Sequence, residues 1–128
     1  MPITKITTGV LTDDLITSDK VANEFTTISS LTPGSSSDIS FTSAQIFTLT
    51  PNQSTTLNIT NPVIGSQKSV IVTGAGSSYT VSLTVGGSSG TFNKISGDYD
   101  DTSGKKNLYS ILCVGATEFW YSISQIAT

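Results

Sequence analysis

From Phe25 onward the chain alternates with a period of two. In YTVSLTV (79–85), Tyr79, Val81, Leu83 and Val85 fall on one side and Thr80, Ser82 and Thr84 on the other. This is the pattern of a half-buried strand. The same reading predicts strands over FTTISSL (25–31), SFTSAQIFTLT (40–50), TTLNIT (55–60), KSVIVTG (68–74), TFNKIS (91–96), NLYSILCVG (107–115) and EFWYSISQIA (118–127). In the long 40–50 run, Ile46 and Phe47 point to opposite faces, which predicts a bulge. TPGSSSD, PNQS, NPVIGSQ, AGSS and GGSSG supply the intervening turns. Short strands separated by such turns predict an all-β fold: a single jelly-roll-like β-sandwich of about eight antiparallel strands.

Residues 1–24 break this period. Their apolar positions, Ile3, Ile6, Val10, Leu11, Leu15, Ile16 and Val21, keep no steady spacing, and Thr17 or Ser18 could cap only one helical turn through Lys20–Ala22. The segment is too irregular to build a core. It reads as an extended N-terminal arm lying on another surface, with residues 25–128 as the folded domain.

Composition narrows the chemistry. The 128 residues contain no histidine, which removes the usual general base, the serine and cysteine triads, and nearly all zinc sites. The six positive charges are all lysines, the net charge is −3 and the pI is near 4.5, so no clustered positive field is available for nucleic acid. No apolar run is long enough to cross a bilayer, and MPITKITTGV is too polar for a signal peptide; synthesis in the cytoplasm is expected. Serine and threonine make up about a third of the chain. Because they alternate with Val, Ile, Leu and aromatic residues, they describe the polar faces of strands and not disorder. The single cysteine, Cys113, lies in an apolar strand with Tyr109 and Ile111 and reads as a small buried hydrophobe.

The densest hint of chemistry is ISGDYDDTSGKKN (95–107), with Asp98, Asp100 and Asp101 in four residues. As an EF-hand loop starting at Asp98 it fails twice: Ser103 stands where glycine is needed, and Tyr109 where the bidentate glutamate is needed. An irregular calcium site on the three aspartates is the remaining metal reading. As a glycosidase pair the cluster lacks an opposed carboxylate, since Glu118 is the only other acid in this half. The favoured reading is a solvated loop between two strands, with no cofactor and no catalysis. In the last strand, Phe119 and Tyr121 share one face and Trp120 takes the other. One face enters the core, and the other is placed against a second subunit in preference to a sugar.

The order of the pieces resembles a β-sandwich module of tailed-bacteriophage appendage proteins, over residues 45–126. The matching pieces are T-L-x-I-x-N-P at Thr56–Pro62, G-K-x-x-L-Y-x-I-x-x-V at Gly104–Val114, and Trp120-Tyr121. ITTGVLTDDLITSDKVAN also resembles the linker repeats of phage tail fibres. The resemblance implies a jelly-roll-like virion protein that forms homotrimers. Because one arm and one module make up this chain, it further implies a capsid decoration (cement) protein at the virion surface. The arm would bind the major capsid protein, while Tyr109, Ile111, Cys113, Phe119, Trp120 and Tyr121 would supply core and subunit contacts. The alternative it implies is a short fibre or receptor-binding tip touching host surface glycans.

Overall fold

A computed structural model describes residues 21–127. A 3-10 turn at Asn23–Phe25 leads into β1 (Ile28–Ser30), β2 (Ser36–Ser40), β3 (Ile46–Leu49), β4 (Thr55–Thr60) and β5 (Gln67–Thr73). β6 (Val81–Val85), β7 (Thr91–Ser96), β8 (Lys106–Cys113) and β9 (Glu118–Gln125) follow. The chain is all-β, but it is not the antiparallel jelly-roll sandwich that strand spacing predicts. Odd-numbered β1, β3 and β5 lie side by side and parallel in one sheet; even-numbered β2, β4 and β6 lie side by side and parallel in another. The chain therefore winds as a solenoid-like coil, each turn laying one strand in each sheet.

The reason is in the corners. Residues 31–35, 41–45 and 50–54 carry the chain from one sheet to the other, where hairpin turns would return it beside the strand it left. Period-two alternation fixes which side chains point inward and is indifferent to whether the neighbour is parallel or antiparallel. The partners Ile28, Ile46 and Ser69 mark successive coils, which advance by roughly twenty residues each, as in repeat architectures. The 40–50 run is also two elements and not one bulged strand. Its first residue, Ser40, ends β2, and Ile46–Leu49 form β3, with a corner between them.

The winding is interrupted once. β8 and β9 form an antiparallel hairpin that inserts between β5 and β7, so the larger sheet has the order β1-β3-β5-β8-β9-β7. β7 still runs parallel to its neighbour β9, with a register shift between Lys94 and Ser96.

Inward positions of both sheets make one core. Ile39, Leu57 and Ile59 from the small sheet meet Phe47, Val70, Val72, Ile111, Cys113 and Phe119 from the large one, all essentially without solvent contact. Each large side chain so buried contributes roughly 1.5–3 kcal/mol. Phe119 anchors the hairpin: its ring stacks on Phe92 at 5.3 Å and meets Phe41 edge-on at 6.0 Å. One end of the coil is closed by Lys68, which points inward from β5 and is fully buried. Its ammonium donates to the Glu24 carbonyl at 2.5 Å and to Gln45 Oε1 at 3.3 Å, and lies 5.3 Å from the centre of the Phe25 ring. Burial holds its pKa below the ordinary lysine value, and Glu24 partly opposes that shift.

Candidate functional site

The acidic loop joins β7 to β8, and its three aspartates point to three different tasks. Asp98 is exposed and pairs with Lys94, four residues earlier on β7. Asp100 accepts the Thr102 backbone N–H at 2.9 Å in a local turn; the Thr102 side chain first, and this N–H second, lower its pKa. Asp101 is the structural one. Its carboxylate accepts the backbone N–H groups of Ala75 (3.0 Å), Ser77 (2.9 Å) and Tyr79 (3.0 Å), and the Tyr99 hydroxyl at 2.6 Å. The Tyr99 hydrogen bond, helped by the three amides, holds this carboxyl well below the usual range, against the opposing effect of desolvation. With four donors on its two oxygens, Asp101 is a staple that ties this loop to the β5–β6 corner. The loop is thus more than a solvated connection. Among the described residues, no group of three or more His, Cys, Asp or Glu side chains is arranged to hold a metal ion.

Glycines let the two segments approach. A Cβ on Gly74 would lie 2.2 Å from the Thr102 carbonyl oxygen, and one on Gly97 would lie 1.7 Å from that of Ile123. Gly97 also has a φ of +81°, which other residues adopt only under strain. Beneath the loop, buried Asn107 donates to the carbonyls of Val72 (3.1 Å), Asp100 (2.8 Å) and Lys105 (3.3 Å). Its Oδ1 accepts from the Asp100 N–H and from the Gln125 amide, both at 2.9 Å. Sequence reading passes over Asn107 because its partners come from β5, the acidic loop and β9, which only the fold brings together.

The outward faces of the two sheets differ in kind. The small sheet shows only polar side chains: Thr56 meets Ser82 at 2.9 Å, and Asn58 links Asp38 (2.8 Å) to Thr84 (2.9 Å). Such a ladder satisfies itself and leaves little for a partner. The large sheet's outer face mixes apolar and hydroxyl rows. Register aligns Ile71 with Leu108, and Leu112 with Trp120, while Ser69, Ser110 and Ser122 form the row between. Leu108 is 38% exposed and Trp120 47%. The two apolar pairs are thus divided by a hydroxyl row, and each pair is contiguous only along its own register.

The predicted contact residues therefore separate into two groups. Tyr109, Ile111, Cys113 and Phe119 lie in the core, and burial pushes the Cys113 thiol pKa up. Tyr121 is half-buried on the inner side, its ring parallel to that of Tyr109 at 6.5 Å. Only Trp120 faces outward. Its indole N–H lies 3.4 Å from Glu118 Oε1, which also accepts the Asn93 amide at 3.2 Å. The arm positions Ile3, Ile6, Val10, Leu11, Leu15 and Ile16 lie outside the described residues, and Val21 is half-buried. The outward Ile46 and Ile71 were legible only as second-face apolar residues within alternating strands.

Comparison of the chain with family models, with curated proteins and with solved structures gives no match. The resemblance to phage appendage modules thus rests on the order of its sequence motifs alone.

Proposed function

We propose that this chain is a non-catalytic structural protein of a virion surface, a homotrimeric capsid decoration protein that associates through the outer face of its large sheet. The observation that carries this reading is the contrast between the faces. One is a self-satisfied polar ladder, and the other exposes Leu108 and Trp120 beside the half-buried Ile71 and Leu112. A small stiff β protein whose acidic cluster is consumed in tying its own loops suits repeated protein–protein contact. Its outer face, with a hydroxyl row between two apolar ones, suits a second copy or a shell subunit. Electron microscopy of labelled protein on particles tests the role: hundreds of copies on the head support it, and a few at the tail refute it. Sedimentation tests the face. The double variant Leu112→Ser, Trp120→Ser should convert trimer to monomer while the fold survives.

A second reading has its own observation. Trp120, with Glu118 and Asn93 beside it, offers an aromatic plate flanked by polar groups, the arrangement that stacks on a sugar ring. In that reading the protein is a fibre tip binding host surface glycans. Quenching of the single tryptophan's fluorescence by oligosaccharides would favour it over the decoration role.

A further inference from the structure

The winding of the coil sets Lys68 beside Gln45. Each stands just before the register pair Ile46 and Ser69, on neighbouring parallel strands about 4.8 Å apart. The Ser69 N–H donates to the Gln45 carbonyl at 3.2 Å, which extends the ladder to this position. Among the described residues, Lys68 is the only charged side chain that is fully buried. Its ammonium meets two neutral oxygens, the Glu24 carbonyl at 2.5 Å and Gln45 Oε1 at 3.3 Å. The Gln45 carboxamide is held so that this oxygen faces the amine, because its Nε2 donates to the Gln67 carbonyl at 2.9 Å. Desolvation is the larger influence on Lys68, and it favours the neutral amine.

We propose that Lys68 and Gln45 condense in the folded chain into an isopeptide bond that joins one coil to the next. The neutral amine attacks Gln45 Cδ. The Nζ–Cδ bond forms and the Cδ–Nε2 bond breaks. Nε2 leaves as ammonia, carrying the proton that the amine gives up. One amine and one amide enter, and one amide and one ammonia leave, so the step needs no oxidant, reductant or co-reactant. The Glu24 carboxylate, close enough to act on the Lys68 charge, can relay the proton.

Two obstacles keep amines and amides from reacting in neutral water. The amine is protonated, and its encounters with the carbonyl are brief and unoriented. Burial weakens the first obstacle, as it does for nucleophilic lysines in general. Fixed juxtaposition weakens the second, since groups held about 3–3.5 Å apart react as if at very high concentration. The amine lies 3.3 Å from the carboxamide oxygen, and a small turn of the Gln45 side chain brings the carbon into the same reach. The Phe25 ring, centred 5.3 Å from the amine, shields one side of the pair. The bond also removes a buried charge, which is costly to keep. It stands apart from the assembly role. Because it consumes the amine, alkaline titration of Lys68 belongs to the unreacted chain.

Intact-mass spectrometry of the full-length protein tests the proposal, before and after incubation at mildly alkaline pH. Most chains should become lighter than the sequence mass by one ammonia. Tryptic digestion should then give a branched peptide joining the segments around Gln45 and Lys68, uncleaved after Lys68. Lys68→Arg, which keeps the charge without a competent nucleophile, should retain the full mass, as should Gln45→Met. A wild-type mass that stays at the sequence value through the incubation overturns the proposal. So does an ammonia loss that persists in Lys68→Arg or maps to another residue.

Discussion

Replacing Asp101 with alanine should detach the 97–105 loop from the β5–β6 corner. The carboxylate accepts three backbone N–H groups at 2.9–3.0 Å and the Tyr99 hydroxyl at 2.6 Å. Hydrogen bonds to a charged group are worth roughly 1.5–3 kcal/mol each, and partial access of water to this half-buried site lowers that to about 1 kcal/mol per amide. The expected loss is therefore about 3 kcal/mol, a change of roughly 150-fold in the folding equilibrium. With a urea slope near 1.5 kcal/mol per molar, the midpoint falls by about 2 M. Asp101→Asn, which keeps one acceptor oxygen, should fall between. The pH dependence supplies the stronger check. The folded pKa of Asp101 is depressed, so its contribution is full above the unfolded value near 3.9, begins to fall below it, and is lost only as pH falls through the lower folded value. The gap between wild type and Asp101→Ala should thus be full at pH 7 and smaller by about 1 kcal/mol at pH 3. Asp100 leaves a residual acid slope in both proteins, because its pKa is lowered too. Equal urea midpoints at pH 7, or a gap that does not shrink at pH 3, would refute the staple.

Gly97→Ala combines a positive φ with a Cβ placed 1.7 Å from the Ile123 carbonyl oxygen. It should lower stability by at least about 2–3 kcal/mol, read as a drop in melting temperature of 10 °C or more. Gly104→Ala, also at positive φ but with open space around it, should lower it by about 1 kcal/mol only. Lys68 has a lowered pKa, so the folded state binds fewer protons than the unfolded state as pH approaches the ordinary value of 10.5. Its contribution to stability therefore rises with pH through that window. Lys68→Met should abolish the rise relative to wild type in paired denaturation curves at pH 7 and 9.5.

Much of the strand pattern was legible because alternation is a local property. TTLNIT and TFNKIS fall where β4 and β7 lie, and the inward set Val70, Val72, Leu57 and Ile59 follows directly from period two. β2 was not legible. SSDIS carries one apolar residue and reads as a turn, yet pairing with β4 buries Ser37 and Ile39 and makes it a strand. Parallel winding was hidden for a different reason: the partners Ile46 and Ser69 are distant along the chain, and alternation carries no information on direction. The acidic loop was located correctly between its strands, but the work of Asp101 was not visible. Its donors lie 22–26 residues upstream and are backbone N–H groups, which any residue type supplies and which leave no mark in the sequence. The outer-face patch was half legible: Leu108 and Leu112 sit in a strand that is apolar on both sides, a pattern that fits a central strand and a strand facing another subunit alike.

The β8–β9 hairpin also decides where the chain can grow. A coil of parallel strands has no intrinsic length, since one more turn of roughly twenty residues adds one strand to each sheet and lengthens the stack by about 4.8 Å. β5, however, has its far edge filled by antiparallel β8, and β7 is committed to β9. A duplicated turn ahead of β5 would keep every one of these pairings, whereas one placed after it would have to break the β5–β8 ladder. Length variants of this protein, natural or engineered, should therefore gain or lose whole turns at the β1 end while the hairpin end stays constant.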